Sequence, residues 1–219
     1  MDVPISRISV VDQVYDNLRA AILSGEIAQG SRIVELQIAR SLGTSRAPVR
    51  EAVSRLLQAG LVETRPHHGP SVIQMTYPQV AKLYRLRVAV ECAAIQEVIR
   101  QPLPPELDEL QAWVDRMASL ARQPRETAFR PFVEADLRFH RALWAMSKNE
   151  YIERVAAQIG DHVQMALAVD NARSDDLERI AAGHIPLVDA IARQDAGAAT
   201  DLMRLHLQFP EDEEACGSR

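Results

Sequence analysis

The chain has 219 residues, 47% of them hydrophobic, and a formal net charge of −5, enough apolar material for one large or two modest packed domains and too much for a disordered chain. Its two cysteines, Cys92 and Cys216, are far apart and lack CxxC spacing, which excludes a disulfide framework or a thiolate metal site and fits a reducing compartment. No stretch approaches the ~20 apolar residues of a membrane span, and the start MDVPISRISVVDQVYD has neither the basic region nor the apolar run of a secretion signal, so a cytoplasmic chain with no membrane partner is expected.

Val14, Leu18 and Ile22 recur at helical spacing and predict a first amphipathic helix that stops at Ser24-Gly25. Val34, Ile38 and Leu42 predict a short second helix ending at Gly43, and only the turn Gly43-Thr44 separates it from a third. Ser45 is the expected N-cap of that third helix, with Pro48 in its first turn and Val49, Val53 and Leu56 as its buried stripe. Arg46 and Arg50, one turn apart, project together from an adjacent face, near the positive end of the helix dipole. Gly60 ends this helix, and Leu61 to Ile73 reads as a hairpin whose tip, Arg65-Pro66-His67-His68-Gly69-Pro70, suits a wing lying on a sugar-phosphate backbone. Helix, helix-turn-helix and hairpin make a winged helix, the arrangement of a reader of double-stranded DNA, although a compact three-helix unit without that function could show the same spacing.

Charge is divided unevenly along the chain. Eight arginines face seven acidic residues over 1–76, whereas 17 basic and 23 acidic groups occupy 77–219. A reading head so weakly basic is expected to need a second one for tight DNA binding, hence a homodimer.

From Tyr77-Pro78 onward the pattern is helical, with breaks near Gln101 to Pro105, Gln123 to Glu126, Ser147 to Asn149, Asn171 to Asp175 and Gln194-Asp195. Six helices are predicted, over 78–100, 105–122, 127–146, 150–170, 175–193 and 196–208. The fold class is therefore mainly α, with a winged helix-turn-helix domain over 1–76 and an all-α bundle over 77–219. Asp136 and His140 stand four apart on one predicted helix, and His184 and His206 come from two others. Three imidazoles and a carboxylate suit Zn²⁺, Ni²⁺, Mn²⁺ or Fe²⁺, and an octahedral ion would keep two positions open for water or a carboxylate. On spacing alone, histidines satisfied by hydrogen bonds in a core remain the alternative. Arg87, four residues before Glu91, reads equally as a carboxylate-gripping fork or as half of a helical ion pair.

The run from Val11 to Ile73 resembles the N-terminal domain of the GntR family of bacterial transcription regulators, most specifically in ILSGEIAQG, SRAPVREA and AGLVE. That resemblance implies base or phosphate contacts from Thr44, Ser45, Arg46 and Arg50, and wing contacts from His68 and Gly69. Thr44 stands where many members have valine, and Leu36-Gln37 where some relatives place a DNA-contacting arginine. The segments EADLRFHRALW, GHIPLVDAIARQDAGAA and LMRLHL resemble the FCD ligand-binding domain of one branch of the family. There the positions of Asp136, His140, His184 and His206 bind a divalent metal, with zinc the first expectation, and that of Arg87 faces the cavity beside it. The count of six helices resembles the vanillate-regulator type more than the fatty-acid-regulator type.

Taken together, these features predict a repressor that binds operator DNA as a homodimer and senses a small organic acid at a metal site. Two rivals are a metal-dependent enzyme in the second domain and a regulator whose metal is purely structural. The enzyme reading lacks a general base, nucleophile or HExxH-type motif beside the ligands.

Overall fold

The computed structural model describes residues 9–65, 68–102, 106–172 and 176–209. The chain divides into two compact units, Met1–Gln74 and Met75–Arg219.

In the first unit α1 (Val10–Leu23), α2 (Glu35–Ser41) and α3 (Arg46–Gln58) precede an antiparallel hairpin of β1 (Val62–Arg65) and β2 (Gly69–Val72). Val14, Leu18 and Ile22 of α1 are buried, as are Val49, Ala52, Val53 and Leu56 of α3, so both predicted stripes face the core. Asp12 on α1 adds an ion pair of 2.7 Å to Arg55 on α3. The stripe of α2 differs from expectation. Ala39 and the preceding Ile33 are buried, Val34 and Ile38 are half-buried, and Leu42 is 41% exposed. Helix α2 is so short that its inward face is set by the turns holding its ends, and Ile33 lies in an extended segment whose neighbour Arg32 bridges to Ser71 of β2.

Gly43 makes the turn possible. Its φ of +62° lies in the left-handed region, and the next N–H, from Thr44, donates to the Ala39 carbonyl at 2.9 Å. The hairpin pairs Val62 with Val72 and Arg65 with Gly69; Pro66 and His67, at its expected tip, lie outside the described residues.

The second unit holds α4 (Tyr77–Ile99), α5 (Leu107–Ala121), α6 (Arg125–Met146), α7 (Glu150–Ala172), α8 (Leu177–Ala182), α9 (Ile185–Ala192) and α10 (Ala196–His206). They pack around a shared core that includes Ile95, Leu110, Met117, Phe132, Phe139 and Leu143. The single helix expected over 175–193 is two, because Pro186 has no N–H to continue the ladder and the His184 N–H turns to the Ala181 carbonyl, three residues back. The described residues thus form seven helices here, which removes helix count as an argument for the vanillate-regulator type.

Helix α10 begins at Asp195, whose carboxylate accepts the Ala198 N–H at 3.0 Å. Asp195→Ala is expected to cost about 1 kcal/mol of stability in urea unfolding, the usual worth of an N-cap.

Candidate functional site

Helix α3 presents its arginines outward. The side chains of Arg46 and Arg50 are 56% and 68% exposed. Thr44 is half-buried and Ser45 exposed; on the hairpin His68 is exposed, and Gly69, at φ +74°, faces open space where a Cβ would stand. Ser45 holds the N-cap position with extended backbone, but its side chain makes no capping hydrogen bond. This corrects the expected hydroxyl cap; Pro48, at the third helical position, has no N–H to give, which removes one of the two donors such a cap uses. Sequence reasoning also missed Glu35. From the first turn of α2, its Oε2 lies 3.5 Å from Arg46 Nη2 and 3.6 Å from Arg50 Nε. Nothing local signals this, since a first-turn acid reads as an ordinary partner of the helix dipole.

The second unit brings its four expected ligands together. One donor atom from each of Asp136, His140, His184 and His206 lies within 4.8 Å of the others. The first three residues are buried and His206 is half-buried. Helix α6 supplies Asp136 and His140 one turn apart, the break between α8 and α9 supplies His184, and the last turn of α10 supplies His206. His140 Nε2 and His184 Nε2 each lie 3.4 Å from Asp136 Oδ1, yet all three atoms are buried without an aligned hydrogen bond. Buried polar atoms left in that state are costly unless something else satisfies them.

The far sides of Asp136 and His184 are held by hydrogen bonds. His184 Nδ1 lies 3.1 Å from the Ile180 carbonyl, which fixes Nδ1 as the donor and presents Nε2 to the cluster. Asn171 donates from Nδ2 to Asp136 Oδ2 at 3.0 Å, leaving Oδ1 for the centre. His140 Nδ1 sits 2.9 Å from Glu91 Oε1, close but off the line of a hydrogen bond. These supports are the kind that orient metal ligands, and neither Glu91 nor Asn171 was singled out in that role from sequence. Gly183 contributes by its size: a Cβ there would lie 3.3 Å from the Ile180 carbonyl oxygen and 3.8 Å from His206 Nδ1.

The protonation states of Asp136 and His206 fit the same purpose. Burial would raise the Asp136 carboxyl, but His140 and His184 hold it well below the usual carboxylate range, so it is ionised. Burial among the other imidazoles pushes His206 well below the usual range, so it is neutral, the form that ligates. Burial alone would lower His140, but the Glu91 charge and the contacts to Asp136 and Glu91 together leave that ring above its ordinary value. An ionised carboxylate and imidazoles of which His140 and His184 turn Nε2 toward it fit a divalent transition metal bound through nitrogen and oxygen.

Arg87 proves to be in an ion pair. It and Glu91 are fully buried, with Arg87 Nη2 3.4 Å from Glu91 Oε1. The guanidinium lies 4.7 Å from the centre of the Tyr84 ring, and the Tyr84 hydroxyl donates to Asp170 at 2.9 Å. Arg87 Nε and Nη1 remain buried without a hydrogen-bond partner. The two readings of this residue therefore coexist: one nitrogen serves Glu91 and two are left for a further acceptor.

A separate cavity of about 190 Å³ opens between α5, α8 and α9, lined by Val114, Ala118, Ala181 and Ile185 with Arg122 and Glu178. None of the four clustered ligands lines it. Among the described residues, no helix is long and apolar enough to cross a membrane.

Comparison with known proteins agrees with this architecture. The family described as bacterial regulatory proteins, gntR family, matches residues 10–72, and the FCD domain matches residues 82–209. An HTH-type transcriptional regulator of Streptomyces ambofaciens is 31% identical over 91% of this chain and 83% of its own length. A Paenarthrobacter nicotinovorans protein named "Probable D-xylose utilization operon transcriptional repressor" is 30% identical over 93% of this chain and 88% of its own. Among solved structures, one described as a transcriptional regulator GntR from Rhodococcus sp. RHA1 superposes with a TM-score of 0.74 at 25% identity, covering 94% of this chain and 95% of that one.

Proposed function

We propose, from the premise that this chain belongs to the GntR family of bacterial regulatory proteins and is a DNA-binding transcriptional regulator with an FCD domain, that it is a cytoplasmic, homodimeric repressor. In this reading a divalent metal in the FCD domain helps bind a small carboxylate effector. The observation that carries the metal half is the convergence of Asp136 Oδ1, His140 Nε2 and His184 Nε2, buried and without aligned hydrogen bonds, beside His206. Those residues would hold the ion, and the ion would supply a Lewis-acidic position for a carboxylate. Arg87, with two buried nitrogens uncommitted, would offer the fork that grips the same carboxylate. A hydroxy, keto or sugar acid is the class this pairing suits.

The DNA half assigns base or phosphate contacts to Thr44, Ser45, Arg46 and Arg50 and wing contacts to His68 and Gly69. The exposure of Ser45, Arg46, Arg50 and His68 supports it, as does the Ser45 hydroxyl, which makes no capping hydrogen bond. Two reading heads suit a pseudo-palindromic operator, and the exposed Leu86 of α4 and Tyr151 and Val155 of α7 offer apolar surface for a second copy. Repression is favoured over activation because the relative named for a D-xylose operon is named a repressor.

Arg50→Ala is expected to weaken binding to the selected operator by about 1–3 kcal/mol with the fold intact. A mobility-shift titration at fixed salt measures it; wild-type affinity in both Arg50→Ala and Arg46→Ala would remove α3 as the reading helix. Adding candidate acids to the same titration tests the effector: an acid that loosens the DNA complex equally well without metal would show that this centre is not the sensor.

A further inference from the structure

The Glu35 carboxylate occupies an unusual place for a DNA-reading surface. A single oxygen, Oε2, lies 3.5 Å from Arg46 Nη2 and 3.6 Å from Arg50 Nε, and no other ion pair of either arginine is present among the described residues. The three side chains differ in freedom: those of Arg46 and Arg50 are 56% and 68% exposed, whereas that of Glu35 is 20% exposed. Glu35 also sits in the first turn of α2, where the helix dipole favours its charge. The more restrained group is therefore the carboxylate, and the arginines arrange themselves around it.

This arrangement has two physical consequences. Arg50 approaches Glu35 through Nε at 3.6 Å, and no ion pair to its Nη groups is present among the described residues, so they stay available for a bidentate contact to a guanine edge. The carboxylate also offsets part of the charge of two guanidinium groups standing one turn apart and repels phosphate oxygens brought close to it. Attraction to the backbone of any duplex is thereby reduced, while a directed base contact is retained. A reading head with eight arginines and seven acids over 1–76 has little charge in excess.

We propose that Glu35 is the positioning residue of the reading helix, setting sequence selectivity by holding Arg46 and Arg50 on one carboxylate and lowering their affinity for phosphate. The proposal rests on α3 being the helix that reads DNA.

The test uses the full chain and two duplexes: one enriched by the wild-type protein from a random-sequence pool, and a scrambled version of it. Glu35→Gln is expected to bind the scrambled duplex about 3–10-fold tighter, to steepen the log–log salt dependence by about one, and to lower the selected-to-scrambled affinity ratio at least about tenfold. Glu35→Asp, which keeps the charge one methylene further back, is expected to fall between. Glu26→Gln removes the same charge from an exposed position and should leave the ratio unchanged. A wild-type ratio in Glu35→Gln, or affinities for both duplexes that fall in proportion together with the melting temperature, overturns the proposal in favour of a helix-stabilising role. Arg46→Ala and Arg50→Ala separate the two levels: if both bind the selected duplex like wild type, the reading of α3 fails as well, and if they bind it weakly while Glu35→Gln keeps its ratio, only the role of Glu35 fails.

Discussion

Purified protein is expected to carry close to one transition-metal ion per chain, and His184→Ala or His206→Ala is expected to lose most of it and to melt at a markedly lower temperature. The four ligands come from α6, the α8–α9 break and the end of α10, so an ion would tie three separate segments of the chain together. A ligand that binds the folded state alone stabilises it by about 4 kcal/mol when present at 1,000 times its Kd. Truncating one imidazole removes a ligand, and removing the ion leaves the Asp136 carboxylate buried with only Asn171 as an aligned partner. Asn171→Ala, which touches no ion, is expected to weaken metal binding about 10–100-fold by freeing Asp136 to turn. His162→Ala, on α7 and outside the cluster, should retain the metal. Elemental analysis after mild purification, with melting curves before and after chelation, makes the comparison. Absence of metal together with no gain in melting temperature on adding Zn²⁺, Ni²⁺ or Mn²⁺ would leave the four residues as a polar core and nothing more.

Arg87→Ala is expected to destabilise the protein by about 3–5 kcal/mol, more than an exposed helical ion pair could. Both members of the pair are fully buried, and deleting the arginine strands the Glu91 carboxylate in the core beside His140. Burial alone would lower the Arg87 pKa, but Tyr84 and Glu91 keep it above its ordinary value, so the side chain is a cation. The double variant Arg87→Ala/Glu91→Ala should therefore lose less than the two single losses together in urea unfolding, because neither charge is then left alone. Equal stability of Arg87→Ala and wild type would show that the pair contributes nothing.

The same burial decides how effector binding must be examined. A calorimetric loss in Arg87→Ala would mix a missing carboxylate contact with a disturbed core. Arg87→Lys keeps the charge near Glu91 and removes the planar fork. It is the variant whose lowered affinity for organic acids, at unchanged metal content, would report the fork itself.

The sequence by itself determined the parts of this protein that local physics controls. Val14, Leu18 and Ile22, and Val49, Val53 and Leu56, turned inward as their spacing required, because side chains three or four apart share a face whatever lies opposite. Asp136 and His140 had to be neighbours for the same reason. In α2, by contrast, Val34, Ile38 and Leu42 had the right spacing and still lost the inward face to Ala39. Seven residues carry too little burial energy to choose an orientation against the turns at their ends. The break at Gly183 was legible in principle from Gly183 and Pro186, yet the apolar run around it read as one helix.

Only the tertiary structure decided which groups stand behind the ligands. Asn171 reaches Asp136 across 35 residues of sequence, Glu91 reaches His140 through the packing of α4 on α6, and Glu35 reaches two arginines across the turn. Periodicity says which face of a helix is apolar but not which helix meets it, or at what height along the axis. A buried carboxylate or amide finds its partner through those two quantities, which helix packing sets.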